Sequence, residues 1–140
     1  MKVKNMPAQT IRRSLVDGIL VFLGLAPTAW GQYPDWKHSG VLYIITTPQG
    51  ANLPAGAAER NFPVLVRLDK DYFNFQQAQS DGKDIRFASD KGAALPYQIE
   101  QWDAKAGTAS IWVKIPLIRG NARQPVKMYW GNPKAASESD

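Results

Sequence analysis

The sequence has no cysteine and only one histidine, His38. No disulfide and no thiolate zinc site can form, and a histidine metal cluster or an HExxH motif is excluded. A catalytic serine would need His38 as its base, and the adjacent Ser39 would point to the opposite face of a strand. The glycines are scattered singly through turns, so there is no phosphate loop. We therefore expect no enzymatic activity, no metal site and no cofactor.

The sequence also lacks a strong charge bias outside its first 31 residues. The formal net charge is +5, of which that segment supplies +3 and the remaining residues +2. A basic stripe is therefore absent, and binding to nucleic acid is not expected. No apolar run is long enough for a bilayer span, which needs about 20 residues, because the run at 18–26 (GILVFLGLA) has nine.

Residues 1–31 have the features of a secretory signal peptide. Basic residues precede the apolar run, Pro27 ends it, and the small residues Ala29 and Gly31 precede a cut before Gln32. The alternative is an uncleaved membrane anchor, but the run is short and Asp17 blocks its extension. We expect export to the periplasm, the cell envelope or the medium, with no membrane span in the mature chain.

The mature chain has short segments with an apolar period of two, which is typical of half-buried strands. Strands are predicted at 41–47, 62–69, 84–88, 95–102, 108–115 and 125–131, with a long loop at 48–61. A short helical turn near 72–79 would cap the core with Phe73 and Phe75. This pattern predicts an all-β domain at 32–133, either an antiparallel, jelly-roll-like β-sandwich or a partly closed barrel. Residues 134–140 are predicted to be a linker or a C-terminal tail.

The segment from Leu95 to Leu117 is predicted to form a hairpin that organises the domain. The register that matches apolar residues has a five-residue loop at 103–107 and pairs Trp102 with Thr108, Leu95 with Ile115, Tyr97 with Val113 and Ile99 with Ile111. In this register the opposite face is polar and carries two tryptophans. Its residues are Gln98, Glu100, Trp102, Ser110, Trp112 and Lys114.

This polar face is the candidate ligand-binding surface. Trp102 and Trp112 would stack on sugar rings or anchor a protein interface. The polar groups would bind hydroxyls, and they belong to Gln98, Glu100 and Lys114. The alternative interpretation is that a second sheet or the loop at 48–61 covers both rings. Trp130 is in phase with Val126 and Met128 and is expected in the core.

Two carboxylate pairs, Asp69 with Asp71 and Asp81 with Asp84, are the other candidates for chemistry. They could form a glycosidase pair or bind calcium. Turn chemistry is the favoured interpretation, because aspartate side chains in turns cap backbone amides.

Several segments, in their order and spacing, resemble domain-of-unknown-function family 2341. They are 62–66 (FPVLV), 81–87 (DGKDIRF), 95–100 (LPYQIE), Trp102-Asp103, 109–116 (ASIWVKIP) and 128–133 (MYWGNP). The resemblance implies a β-rich extracytoplasmic module of bacterial and archaeal envelope proteins. Its relatives often precede a concanavalin-like or laminin-G-like domain, or are fused to a channel unit of the MotA/TolQ/ExbB type. It supplies no catalytic residues.

Two functions fit these observations. The first is a non-catalytic envelope module that binds a polysaccharide or glycoconjugate through the aromatic face. The second is a structural or protein-interaction module that docks on an adjacent lectin-like domain, an envelope protein or a MotA/TolQ/ExbB-type transport assembly. A glycoside-acting enzyme is the third and least favoured hypothesis.

Overall fold

A computed structural model describes residues 32–140, and the predicted signal peptide lies outside them. The described chain is all-β, as predicted, and contains a single turn of 3-10 helix at Phe75–Gln77. Its strands are β1 (His38–Ile45), β2 (Ala58–Asp69), β3 (Arg86–Ser89), β4 (Tyr97–Asp103), β5 (Thr108–Arg119) and β6 (Arg123–Trp130).

The strands form two antiparallel three-stranded sheets. Sheet A has the order β1-β6-β3, and sheet B has the order β2-β5-β4. Of the two predicted architectures, the β-sandwich is the one observed in residues 32–140, since neither sheet closes on itself.

The core lies between the sheets and follows the period of two. In β5, Ile111, Val113 and Ile115 are buried, whereas Trp112 and Lys114 between them point outward. In β6, Val126 and Met128 are buried and Trp130 packs against the core, as predicted. Burying one large aliphatic or aromatic side chain contributes about 1.5–3 kcal/mol, so the alternating pattern dictates which face turns inward.

The predicted helical turn is short and closes one end of the core. Asn74 caps it by accepting a hydrogen bond from the Gln76 amide at 3.0 Å. Phe73 and Phe75 are both buried and meet edge to face, with ring centroids 5.0 Å apart. Their predicted role as a cap on the core is confirmed.

Every observed strand differs from its predicted bounds at one end or both, by one to four residues. β1 begins at His38, and β2 begins at Ala58, so the predicted loop at 48–61 is shorter. β3 begins at Arg86 rather than at residue 84. The preceding residues form a turn in which the Ile85 amide donates to the Gly82 carbonyl at 3.1 Å.

The predicted hairpin register holds only for its first half. Tyr97 pairs with Val113 and Ile99 with Ile111, as predicted. A β-bulge at Glu100 then shifts the register, so that Trp102 faces Ala109 and not Thr108. The loop is therefore 104–107. The bulge inserts one residue into β4, which moves every later side chain of that strand to the other face.

The segment after β6 lies along the free edge of β4. The Asp140 amide donates to the Tyr97 carbonyl at 3.1 Å, and the Ile99 amide donates to Ser139 Oγ at 2.8 Å. Gln79 Nε2 donates to the carbonyls of Asn132 and Ala135, both at 2.9 Å. The predicted linker or tail is thus bound to the domain through main-chain groups.

Among residues 32–140, no helix has the length and apolar character that crossing a bilayer requires.

Candidate functional site

Trp112 lies at the centre of the outer face of sheet B. It belongs to β5, the middle strand, and its cross-strand partners are Leu65 in β2 and Gln98 in β4. Its inward neighbours Ile111 and Val113 fill the core, and this alternation directs the indole outward. The side chain is half-buried, so part of the ring is accessible to a ligand.

A surface depression of about 280 Å³ adjoins this ring, and we call it the Trp112 face. Gln98 and Lys114, two of the predicted site residues, line it together with Trp112. The other lining residues are Asn61, Pro63, Pro96, Tyr97 and Asp140. The depression therefore combines one flat aromatic ring with amide, ammonium and carboxylate groups.

Trp102 does not belong to this face, contrary to the predicted register. The bulge at Glu100 turns it inward, where it meets Phe73 and Phe75 edge to face at centroid distances of 6.0 and 5.1 Å. Gly82 borders the ring so closely that a Cβ there would lie 2.7 Å from it. Trp102 is thus packed against the core, and its buried Nε1 finds no hydrogen-bond partner among the described residues.

Glu100 is exposed at the bulge and is not among the residues that line the Trp112 face. The structure therefore brings together three of the five predicted site residues, Trp112, Gln98 and Lys114. It separates Trp102 and Glu100 from them.

The other residues that line the Trp112 face were not predicted from the sequence as site residues; they are Asn61, Pro63, Pro96, Tyr97 and Asp140. Asn61 and Pro63 reach the site because β2 pairs with β5, which places Pro63 opposite Lys114. The alternation in β2 indicates that Pro63 and Leu65 point away from the core, but it does not show which strand pairs with β2. Asp140 reaches the site only because the C-terminal segment runs along β4.

Arg86 holds that C-terminal segment in place. Its buried guanidinium donates from Nη2 to the Ala136 carbonyl at 2.7 Å, and Nε lies 3.1 Å from a Glu138 carboxylate oxygen. The Nε contact is an ion pair without hydrogen-bond geometry. Nη1 donates to the Ile85 carbonyl at 2.7 Å and to the Tyr97 hydroxyl at 3.1 Å. Arg86 thereby positions the segment that ends at the Trp112 face.

Tyr97 belongs to the same buried network. Its hydroxyl donates to the Ile85 carbonyl at 2.6 Å. Burial raises the pKa of Tyr97 above its ordinary value of 10.0, although the neighbouring Arg86 opposes that shift. The neutral phenol is therefore the form that this site stabilises.

In each predicted carboxylate pair, an aspartate side chain accepts a hydrogen bond from a backbone amide of a turn. Asp69 Oδ1 accepts from the Asp71 amide at 3.0 Å, and Asp81 Oδ1 accepts from the Lys83 amide at 3.3 Å. The Lys83 side chain also lowers the pKa of the exposed Asp81 carboxyl by its hydrogen bond. Across residues 32–140, no three histidine, aspartate or glutamate side chains cluster in a way that would hold a metal ion.

Asp84 is buried, and its carboxylate also accepts hydrogen bonds from backbone amides. One carboxylate oxygen accepts from the Gln79 amide at 2.8 Å. The other accepts from the amides of Gly131 and Asn132 at 2.7 and 3.0 Å. The carboxylate therefore joins the turn before β3 to the end of β6.

Comparison with known proteins gives one match. No curated protein and no solved structure matches the chain. A family model does match at residues 81–140, which include β3 to β6 and all of the C-terminal segment. The resemblance predicted from the sequence is thereby confirmed over this range. The family whose model matches these residues is described as Domain of unknown function (DUF2341).

Proposed function

We propose that the domain is an exported, non-catalytic binding module that binds a polysaccharide or glycoconjugate at the Trp112 face. One observation carries this proposal: a partly accessible indole lies at the centre of a sheet, in a depression that it shares with Gln98 and Lys114. Strand β5 holds the ring between two neighbouring strands, so a ligand would meet a surface that is already formed.

The chemistry of the depression suits a sugar. A pyranose ring has apolar C–H faces, which pack on a flat aromatic ring, and hydroxyls at its edge. Gln98 and Asn61 offer amide donors and acceptors, whereas Lys114 offers donors and Asp140 accepts. The single ring and the open depression favour a few sugar units bound from one side.

The arrangement of carboxylates supports binding over hydrolysis. Glycoside hydrolysis uses two carboxyl groups about 5–9.5 Å apart on either side of the bond. Asp140 is the one carboxylate that the structure places among the residues lining the Trp112 face. Three aspartates of the predicted pairs, Asp69, Asp81 and Asp84, accept hydrogen bonds from backbone amides elsewhere.

A second candidate function, a protein-interaction module of an envelope assembly, is supported by a different surface. Val41, Tyr43 and Ile45 of β1 are exposed on the outer face of sheet A. This surface lies on the other sheet from the Trp112 face, so the two functions can be tested separately.

The glycan proposal is tested by affinity electrophoresis of the purified protein in gels that contain one of a panel of soluble polysaccharides. Mobility is preferable to tryptophan fluorescence here, because removing Trp112 also removes part of the fluorescence signal. We expect at least one polysaccharide to retard the protein, Trp112→Ala to abolish the retardation, and Gln98→Ala to weaken it.

Tyr43→Ala is the matched control, since it removes an exposed aromatic ring from the other sheet. It should leave the retardation unchanged, and circular dichroism should show that all three variants are folded. Equal retardation of the original protein and Trp112→Ala, or no retardation by any polysaccharide, would contradict the proposal.

A further inference from the structure

Strand β1 is an edge strand without the usual protection. It pairs with β6 on one side and with no other strand of residues 32–140. It contains no aspartate, glutamate, lysine, arginine or proline. Val41, Tyr43 and Ile45 on its outer face are 50%, 48% and 39% exposed. Edge strands usually carry charges, proline or a bulge that prevent pairing with another chain, and β1 lacks all three.

The other edges of the sandwich are protected. β2 carries Arg60, Pro63 and Arg67, and the Tyr72 hydroxyl donates to the Arg67 carbonyl at 2.8 Å. The β3 edge is covered by the segment that precedes β4, where the Leu95 amide donates to the Phe87 carbonyl at 2.9 Å. Beyond that contact, the C-terminal segment covers β4. Within residues 32–140, β1 is thus the edge strand to which another strand can add without meeting a charged side chain of that strand, a proline or a covering segment.

An apolar crevice of about 230 Å³ opens between β1 and β2. Leu42 and Ile44 line it from β1, and Val64 and Val66 line it from β2; all four are only half-buried. Val113, Ile115 and Val126 lie deeper in the crevice. A strand added to β1 would direct every second side chain into this crevice, because alternate residues of a strand point to one face.

The main chain of β1 offers the hydrogen bonds that such a strand needs. The Thr46 amide donates to the Ala122 carbonyl, across from β1. Because antiparallel pairs alternate, the main-chain groups of Ile45, Tyr43 and Val41 then point to the free edge. The Ile45 carbonyl accepts from the Ala51 amide at 2.9 Å. Among residues 32–140, Ser39, Val41 and Tyr43 therefore supply edge groups that are left for a partner.

Two cations of the neighbouring strand β6 lie next to β1. The Arg123 guanidinium lies over the Tyr43 ring, 3.8 Å from its centroid, and Lys127 pairs across from Val41. Strands β1 and β6 contain no carboxylate, and within the described part of the chain neither cation forms an ion pair. A second copy of the chain paired at this edge would bring another Arg123 close to the first, and the two cations would repel each other. An acidic partner would instead complement the positive charge.

We propose that β1 binds an extended acidic peptide segment of a partner protein, which adds to sheet A as a further strand. Apolar side chains at every second position enter the crevice, and carboxylates at the intervening positions lie near Arg123 and Lys127. The proposal deepens the second candidate function, and its test does not depend on glycan binding.

The test uses the purified full protein and a fluorescent peptide of about eight residues, the length of β1. The peptide alternates valine with glutamate, and a matched peptide has lysine in place of glutamate. Fluorescence anisotropy should show that the acidic peptide binds at least about tenfold more tightly than the basic one, with an affinity that falls as salt is added. Arg123→Gln should weaken binding of the acidic peptide, and Lys105→Gln, in the β4–β5 loop, should not.

Val41→Pro removes an edge amide that faces away from β6, which an edge strand tolerates. It should weaken binding by about tenfold or more, whereas Val41→Thr keeps the amide and should bind as the original protein does. Amide shifts of Val41 and Tyr43 in the unaltered protein provide a check that needs no variant. Equal binding of both peptides, unchanged binding to Val41→Pro, or a β1-mediated dimer in sedimentation without peptide binding would overturn the proposal.

Discussion

Trp102 and Trp112 lie on neighbouring strands of one sheet and point to opposite faces. Trp112 pairs with Gln98 before the β-bulge at Glu100, and Trp102 pairs with Ala109 after it. The inserted residue sends Trp102 toward Phe75 in the core and leaves Trp112 as the one tryptophan that lines the outer depression. The two rings therefore have different roles, one in stability and one in binding.

The two tryptophans should differ in their effect on stability. We expect Trp102→Ala to lower the free energy of unfolding by about 3 kcal/mol, because it empties a site packed by Phe73 and Phe75. Trp112→Ala should cost about 1 kcal/mol, since the ring is partly solvated and covers one side of a sheet. Urea unfolding followed by circular dichroism measures both values.

Trp102→Phe is the control for the first variant. The indole nitrogen of Trp102 is buried and has no hydrogen-bond partner among the described residues. A phenyl ring in its place therefore preserves most of the packing and removes no hydrogen bond. We expect Trp102→Phe to lower the free energy of unfolding by less than about 1.5 kcal/mol. A larger loss for Trp112→Ala than for Trp102→Ala would show that the two rings have been assigned to the wrong faces.

Arg86 should control the order of the C-terminal segment. Arg86→Met leaves the Ala136 carbonyl and the Glu138 carboxylate without the guanidinium, and we expect a loss of about 2–4 kcal/mol. The Asp140 amide should then exchange hydrogen for deuterium faster in mass spectrometry. Arg86→Lys should not restore protection, because an ammonium cannot bond in several fixed directions as a guanidinium does. Unchanged exchange near residue 140 would argue against this positioning role.

Tyr97 should make stability fall at alkaline pH. Its pKa is raised in the folded protein, so the folded state holds the phenolic proton more tightly than the unfolded chain does. Its contribution is complete below pH 10.0, the ordinary pKa, and is lost as the pH rises through the higher folded value. Denaturant midpoints across this range should show the decline, and Tyr97→Phe should reduce it. A decline equally steep in Tyr97→Phe would assign it to other groups.

Asp84→Asn should be destabilising although it is nearly isosteric. The carboxylate accepts three backbone amides, and an asparagine NH₂ would face one of them with a second donor. We expect a loss of about 1–3 kcal/mol by thermal or urea unfolding. Asp81→Asn, at an exposed turn, is the matched control and should change the midpoint little. Similar losses in the two variants would contradict the buried role of Asp84.

Local patterns predicted the fold class and much of the core. The alternation in residues 95–115 predicted the pairs Tyr97 with Val113 and Ile99 with Ile111, because a slip of one residue would set Glu100 opposite Ile111. The aromatic pair Phe73 and Phe75 indicated the cap on the core. Each of these features depends on side chains that are close together in the sequence.

The β-bulge and the set of residues that form the site could not be predicted from local patterns. Both depend on contacts between residues that are far apart in the sequence. Trp102 turns inward because Phe73, Phe75 and the open space at Gly82 receive its ring, and no pattern within β4 shows that this place exists. Asn61 and Asp140 reach Trp112 through the pairing of β2 with β5 and the course of the C-terminal segment. The open crevice beside β1 likewise depends on which strands become edges.

The most direct test of the Trp112 face is an NMR titration that follows the indole N–H signals of residues 32–140. The indoles belong to Trp36, Trp102, Trp112 and Trp130, and single Trp→Phe variants assign them. A polysaccharide that retards the protein in gels should shift the Trp112 signal in a saturable way and leave that of Trp102 in place. A shift of Trp102 with Trp112 unmoved, or binding that moves neither signal, would contradict a glycan-binding site at the Trp112 face.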